Sequence, residues 1–194
     1  LFINNSQYEH NLSNSGTTVD GYISMVQSGN FIYVCGYADA DAGPGVNNNI
    51  IVAQYNINAT PGSAPNWVSQ PFNGPGNGED MPVGIKISNG FINDIFVAGT
   101  TTMVGGKKQL IVLQYDVSSQ TPVDTFYLPN QTAFNEICTG VTKDNYGNII
   151  LTGYNDDPNG NVLIAAKICT NTYTPYLVAG GLNTLYASLG DSHQ

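Results

Sequence analysis

The chain has 194 residues and a mass of 20.6 kDa, and is 41% hydrophobic but only 10% charged, where an average soluble domain carries roughly 25% charged residues. Five Lys and Arg stand against 14 Asp and Glu, a formal charge of −9, which removes the clustered basic footprint that nucleic acid or an anionic membrane surface draws on. No apolar run approaches the roughly 18 residues of a spanning helix, and a surface dressed in Asn, Ser, Thr and Gly suits an extracellular protein or one carried on a cell or particle surface.

The chain opens on Leu1 without a basic-then-apolar leader, the expectation for a processed or truncated start. Leu1-Phe2-Ile3 reads as the remnant of a strand in a partial unit over 1–12. A first full unit follows over 17–72. Gly21 to Val26 gives its first strand, Ser28-Gly29-Asn30 a reversal, and Phe31-Ile32-Tyr33-Val34-Cys35-Gly36 a second strand. Ile50 to Asn56 is the third strand, and Trp67 to Phe72 a weaker fourth. Asn and Gly supply the positive φ of tight hairpins, while β-branched and aromatic runs mark the strands.

The second unit, 80–128, repeats the order with Gly84 to Ser88, a turn at Ser88-Asn89-Gly90, Ile95 to Gly99, Leu110 to Asp116 and Thr125 to Leu128. Its third strand, Ile111-Val112-Leu113-Gln114-Tyr115-Asp116, nearly copies Ile51-Val52-Ala53-Gln54-Tyr55-Asn56 of the first. The third unit, 136–179, has Gly140 to Asp144, a turn through Gly147-Asn148, Ile149 to Gly153, Val162 to Cys169 and Tyr173 to Ala179. Leu185 to Leu189 then resembles a first strand again, placing a partial unit over 183–194. Second strands that are apolar on nearly every residue are expected to be covered on both faces. The glycine closing each of them marks a bend or a close approach of backbone.

Repetition with a period of about 50–60 residues, four strands per unit and no capped 3.6-residue periodicity predict an all-β fold. Its units are β-propeller-type blades of four antiparallel strands, about three blades plus partial blades at both ends. Rings of this kind close with roughly four to eight blades, so the sequence predicts a segment of a longer propeller, completed by further blades or by protein partners. The units resemble bacterial β-propeller repeats of the SBBP type over residues 17 to 190. The residues carrying the resemblance are Asp80, Gly84, Gly147, Asn148, Gly153, Tyr55, Tyr115 and the Gly180-Gly181 pair. It implies the blade fold and says little of activity, since its motifs are turn and strand signatures.

Residues able to do chemistry are sparse. His10 and His193, the two histidines, lie near the ends, which leaves no packed base for a Ser-His-Asp or Cys-His centre. Glu79, Asp80 and Glu136 precede first strands at the position of the repeat's structural polar residue, so glycosidase chemistry is not expected. Cys35, Cys138 and Cys169 lack CxxC spacing and argue against zinc. Cys35 reads as a buried small hydrophobe, and pairing of Cys138 with Cys169 stays open. Asp39 and Asp41, in the loop after the first unit's second strand, are the first place to look for calcium, with Asp156 and Asp157 as the third unit's counterpart. Asx turns serve equally well there, so no cofactor is expected. The sequons at Asn4, Asn11, Asn58 and Asn130 are no more than this Asn- and Thr-rich composition yields by chance. Aromatics at strand starts and loops, with Trp67, Tyr37 and Tyr154 foremost beside Tyr22, Tyr127, Tyr173 and Tyr176, are candidate platforms for glycans. The expectation is therefore a non-enzymatic structural or protein-interaction scaffold, with a carbohydrate-binding module as the alternative.

Overall fold

The computed structural model of the chain describes residues 21–39, 47–60, 62–88, 94–116, 120–128, 134–158, 163–169 and 174–180. They form twelve strands and, among the described residues, no helix. Sheet 1 is β1 (Gly21–Ser28), β2 (Phe31–Asp39), β3 (Asn48–Asn56) and β4 (Trp67–Val68). Sheet 2 is β5 (Met81–Ile87), β6 (Ile95–Thr102), β7 (Lys108–Tyr115) and β8 (Asp124–Tyr127). Sheet 3 is β9 (Glu136–Lys143), β10 (Ile149–Asn155), β11 (Leu163–Cys169) and β12 (Thr174–Gly180). Each sheet is an antiparallel meander whose strands lie in chain order, and the three sheets do not form a closed ring among the described residues. The partial units at 1–12 and 183–194 lie outside them.

The second strands extend past the glycine that seemed to close them, to Asp39, Thr102 and Asn155. Each glycine instead sits opposite a bulge in the first strand: the register slips between Tyr22 and Ser24, between Pro82 and Gly84, and opposite Thr152 and Gly153. A bulge sets two residues against one and drives its backbone toward the partner strand. A Cβ on Gly36, Gly99 or Gly153 would land on the carbonyl oxygen of Gly21, Met81 or Ile137. The bulges also explain why β5 and β9 begin earlier than the sequence indicates, at Met81 and Glu136. Pro82 precedes the register slip and looks from sequence like an approach segment.

The weak fourth strand of sheet 1 has a local cause. Ser69 Oγ accepts from the Val52 amide at 2.9 Å, taking a donor away from the ladder, so pairing stops after Val68 and resumes only at the Ile50–Phe72 bridge.

Alternation along the strands sends successive residues to opposite faces. Tyr33, Cys35, Ile50 and Val52 of sheet 1 pack on Ile85, Ile87, Ile95, Val97, Ile111, Leu113 and Tyr115 of sheet 2. The other face of sheet 2, with Phe96, Ala98, Leu110, Val112, Phe126 and Leu128, packs on Cys138, Ile149, Leu151, Ile164, Ala166 and Ile168 of sheet 3. Sheet 2 is thus buried on both sides, which accounts for the unbroken apolar runs of β6 and β7. First strands meet in turn, β1 against β5 and β5 against β9. Gly84 of β5 lies where a Cβ would strike Val141 of β9 and come within 3.8 Å of Ser24 Oγ of β1.

Both junctions use equivalent residues. Tyr33, Phe96 and Ile150 occupy one position of the repeat, and Ile32, Ile95 and Ile149 the one before it. We call the face carrying Tyr33 and Phe96 trailing and the face carrying Ile95 and Ile149 leading. Each trailing face covers the next sheet's leading face.

Candidate functional site

Among the described residues, no other sheet packs on the leading face of sheet 1. It carries Met25, Ile32, Val34, Ile51, Ala53 and Tyr55; Ile51 and Ala53 are buried, and a cleft of about 440 Å³ opens beside the other four. Tyr22, Met25, Ile32, Val34 and Tyr55 line the sheet side, and Asn56, Ala59, Thr60, Gly62, Ser63 and Ala64 form the wall. That wall is a folded turn. Ile57 donates to the Asn30 carbonyl at 2.9 Å, Asn58 to Asn56 Oδ1 at 2.9 Å, and Ser63 through both its amide and its hydroxyl to the Thr60 carbonyl.

At the mouth, Tyr22 and Tyr55 join hydroxyl to hydroxyl at 2.7 Å, their rings edge to face with centroids 6.4 Å apart. Met25 is 70% exposed and Tyr22 42%. The equivalent residues of sheet 2 are Ile85 and, for Tyr55, Tyr115, and both are 0% exposed beneath sheet 1. Sequence reasoning placed Tyr22 among the exposed aromatics but missed Tyr55 and Met25. The near-identity of the two third strands was the signal that Tyr55 shares its design with a core residue.

The aromatics singled out from sequence do not converge. Trp67 is half-buried against the junction of sheets 1 and 2, its ring 6.5 Å from Tyr33 and tilted 54°. Tyr33 in turn accepts from Gln54 Nε2 at 3.0 Å. Tyr37 packs its ring over Gly21, its cross-strand neighbour, four residues along β2 from Tyr33 and so roughly 13 Å away along the strand. Tyr154 is the equivalent of Tyr37 in sheet 3, paired with Ile137 and Leu163. Tyr37 and Tyr154 lie inside strands rather than in loops, because β2 and β10 run on beyond their glycines. Tyr173 and the side chain of Tyr176 lie outside the described residues, as do both histidines.

Asp39 ends β2, paired with Asn48 across the ladder, so it belongs to a strand where the sequence suggested a loop. Its side chain and all of Asp41 lie outside the described residues. Among the described residues no three His, Cys, Asp or Glu side chains group as metal ligands. Asp156 accepts from the amide and side chain of Asn135 at 2.8 and 2.7 Å, the role of a polar turn residue.

Asp80 is fully buried and saturated. It accepts from Thr101 Oγ1 at 2.6 Å, from the Thr102 amide at 3.0 Å and from the Gly74 amide at 2.6 Å. Its own amide donates to the Asn48 carbonyl of sheet 1 at 2.6 Å. Burial raises its pKa above the ordinary carboxylate value, against the pull of those donors. The carboxylate therefore ties the loop before β5 to the end of β6. Glu136, 3% exposed, holds the same position in sheet 3.

Cys35 and Cys138 are free, buried thiols, and the side chain of Cys169 lies outside the described residues. Desolvation pushes their pKa values up to about 12 and about 11, which leaves almost no thiolate, the reactive form, at neutral pH.

Compared with known proteins, the chain matches no protein-family model and no curated protein sequence.

Proposed function

We propose that this chain is an arc of a β-propeller-type repeat protein. It acts without catalysis as a structural or protein-interaction scaffold on a cell or particle surface, and it engages its partners through the leading face of sheet 1. Three similar meanders, first strands neighbouring in sequence and trailing-on-leading packing support the propeller reading. A polar, nearly uncharged composition supports the location. One observation carries the interaction role: Tyr115 and Ile85 are sealed beneath a neighbouring sheet, whereas Tyr55 and Met25 at the same repeat positions line an open apolar cleft.

A photo-crosslinking residue at position 25, in the assembly from which the protein is isolated, tests this. A stoichiometric adduct to a defined protein chain, without the same adduct from Tyr146 in the exposed β9–β10 turn, supports the scaffold. Identical adduct patterns from both positions overturn it.

The Tyr22–Tyr55 pair at the cleft mouth favours a second reading, carbohydrate binding, since sugar rings stack on tyrosine faces while hydroxyls reach the phenol oxygens. On a glycan array that reading requires saturable binding that is lost in Tyr22→Ala. Binding to no glycan eliminates it.

A further inference from the structure

What stays open on the leading face of sheet 1 is a cleft rather than the whole face. Ile51 and Ala53 are 1% and 0% exposed, and the cleft of about 440 Å³ lies between Tyr22, Met25, Ile32, Val34 and Tyr55 and the turn that follows β3. The chain carries a formal charge of −9, yet among the described residues lining this cleft none is Asp, Glu, Lys, Arg or His. A charged occupant would give up water there and meet no counter-charge, so the cleft matches an uncharged one.

The cleft also has few hydrogen bonds to give. The turn's amides at Ile57, Asn58, Ala59 and Ser63 donate to Asn30, Asn56 and Thr60 within the chain, and the Ser63 hydroxyl does the same. Beneath the cleft, the backbone of β2 is spent on ladders with β1 and β3. An ordinary extended peptide brings an amide N–H at every residue, and each one desolvated here without an acceptor costs free energy. Proline brings none. A helix satisfies its own amides, but a single turn, about 10–12 Å across and 5.4 Å high, takes up roughly 500 Å³, more than the cleft holds.

We propose that the partner of this scaffold presents a proline-rich segment in the polyproline II conformation, and that the cleft between the Tyr22–Tyr55 pair and the turn after β3 receives it. The inference rests on the scaffold reading above and deepens it by naming what the partner presents. Proline rings pack on the two tyrosine rings and on the aliphatic parts of Met25, Ile32 and Val34, the kind of aromatic-lined groove in which such segments dock. The segment is extended before it binds, at about 3.1 Å per residue, so docking orders little. Met25, 70% exposed, can fit its unbranched side chain to the rings where Ile85, at the equivalent buried position, is rigid.

The test is fluorescence anisotropy of a labelled decaproline peptide titrated with the full chain, beside a Gly-Ser peptide of the same length. Saturable one-to-one binding of decaproline alone is expected. Binding should weaken at least about tenfold in Tyr22→Ala, which removes a ring from the platform, and in Met25→Asp, which desolvates an unpaired charge against the prolines. Both residues are exposed, and a thermal melt of each variant checks that the fold is kept; if one variant fails to fold, the other carries the test. Tyr146→Ala, in the exposed β9–β10 turn, is expected to bind as the wild type does. No saturable binding of decaproline, equal binding of the Gly-Ser peptide, or binding indifferent to both cleft changes would each overturn the proposal. Decaproline that does not bind, while position 25 still crosslinks to a defined protein chain, removes this inference and leaves the scaffold reading standing.

Discussion

Gly99→Ala separates two opposed expectations. Gly99 has no left-handed φ, so its backbone conformation suits any residue. On chain entropy alone, alanine there should stabilise the protein by about 0.4–1 kcal/mol. The structure reverses the sign. A Cβ at position 99 falls on the Met81 carbonyl oxygen, with Pro82 Cα at 3.0 Å, and both contacts are main chain, which cannot rotate away. Relief requires moving the bulge in β5, at the roughly 1–3 kcal/mol typical of overpacking, together with loss of a ladder hydrogen bond worth about 1 kcal/mol. The net expectation is a loss of about 2–3 kcal/mol. For a chain of this size that lowers the melting temperature by roughly 4–12 °C, at about 2–4 °C per kcal/mol. Urea unfolding followed by circular dichroism measures it, and Gly36→Ala and Gly153→Ala, blocked by the Gly21 and Ile137 carbonyls, should behave alike. A Gly99→Ala protein as stable as the wild type would refute the claim that the three glycines exist to admit a bulge.

Asp80→Ala leaves the Thr101 hydroxyl and the Gly74 and Thr102 amides buried without their acceptor, and should cost about 3 kcal/mol or more in a denaturant titration. Because burial raises the Asp80 pKa, the native state holds this proton longer than the unfolded chain does. Its contribution to stability therefore falls as pH rises through the range just above 3.8, a slope that should vanish in Asp80→Asn. Asp144 runs the other way. Hydrogen bonds from the Asn148 side chain, then Lys167 and the Asn148 and Tyr146 amides, hold its carboxyl well below the usual value despite some opposing desolvation. Its stabilisation is present above the ordinary carboxylate range and is lost as pH falls below it, so acid melts of Asp144→Asn should be flatter than those of the wild type. Cys35 and Cys138 should resist a thiol reagent in the native protein and react on unfolding, with mass-spectrometric mapping to distinguish them from Cys169. Prompt native labelling at either would contradict their burial.

The strands were legible because burial on both faces of sheet 2 forces unbroken apolar runs, and because the copied third strands declare the repeat outright. The turns were legible for the same local reason, since Gly29 and Gly147 adopt the positive φ their hairpins need. Bulges were not, because a register slip is a relation between two strands and leaves only a glycine on one of them. That gap propagated to the site. Trp67 reads from sequence as an edge aromatic, but which face it occupies follows from pairing with Gln54 and Tyr33, and that register turns it inward. Tyr22 and Tyr55 come from strands whose positions in sequence differ by 33 residues. Their meeting over an open cleft depends on the bulge that re-aims Tyr22.

Under the scaffold proposal, the contact surface is located by a comparison between repeats rather than by a cluster of reactive groups. The same position is Ile85 where a sheet is permanently covered and Met25 where it is open, and Tyr115 where sealed and Tyr55 where it lines a cleft. On the leading face of sheet 1 Ile51 and Ala53 are buried, Ile32, Val34 and Tyr55 half-buried and Met25 exposed, and apolar side chains left in water cost solubility unless something covers them. A chain that dresses most of its surface in Asn, Ser and Thr could have placed them on this face as well. Sheet 3 does carry such a change, with Thr152 exposed where Cys35 and Ala98 are buried. That polarity contrasts with Ile32, Val34 and Tyr55, which stay apolar around the cleft on sheet 1. Under the scaffold proposal, that contrast marks the cleft as the contact surface.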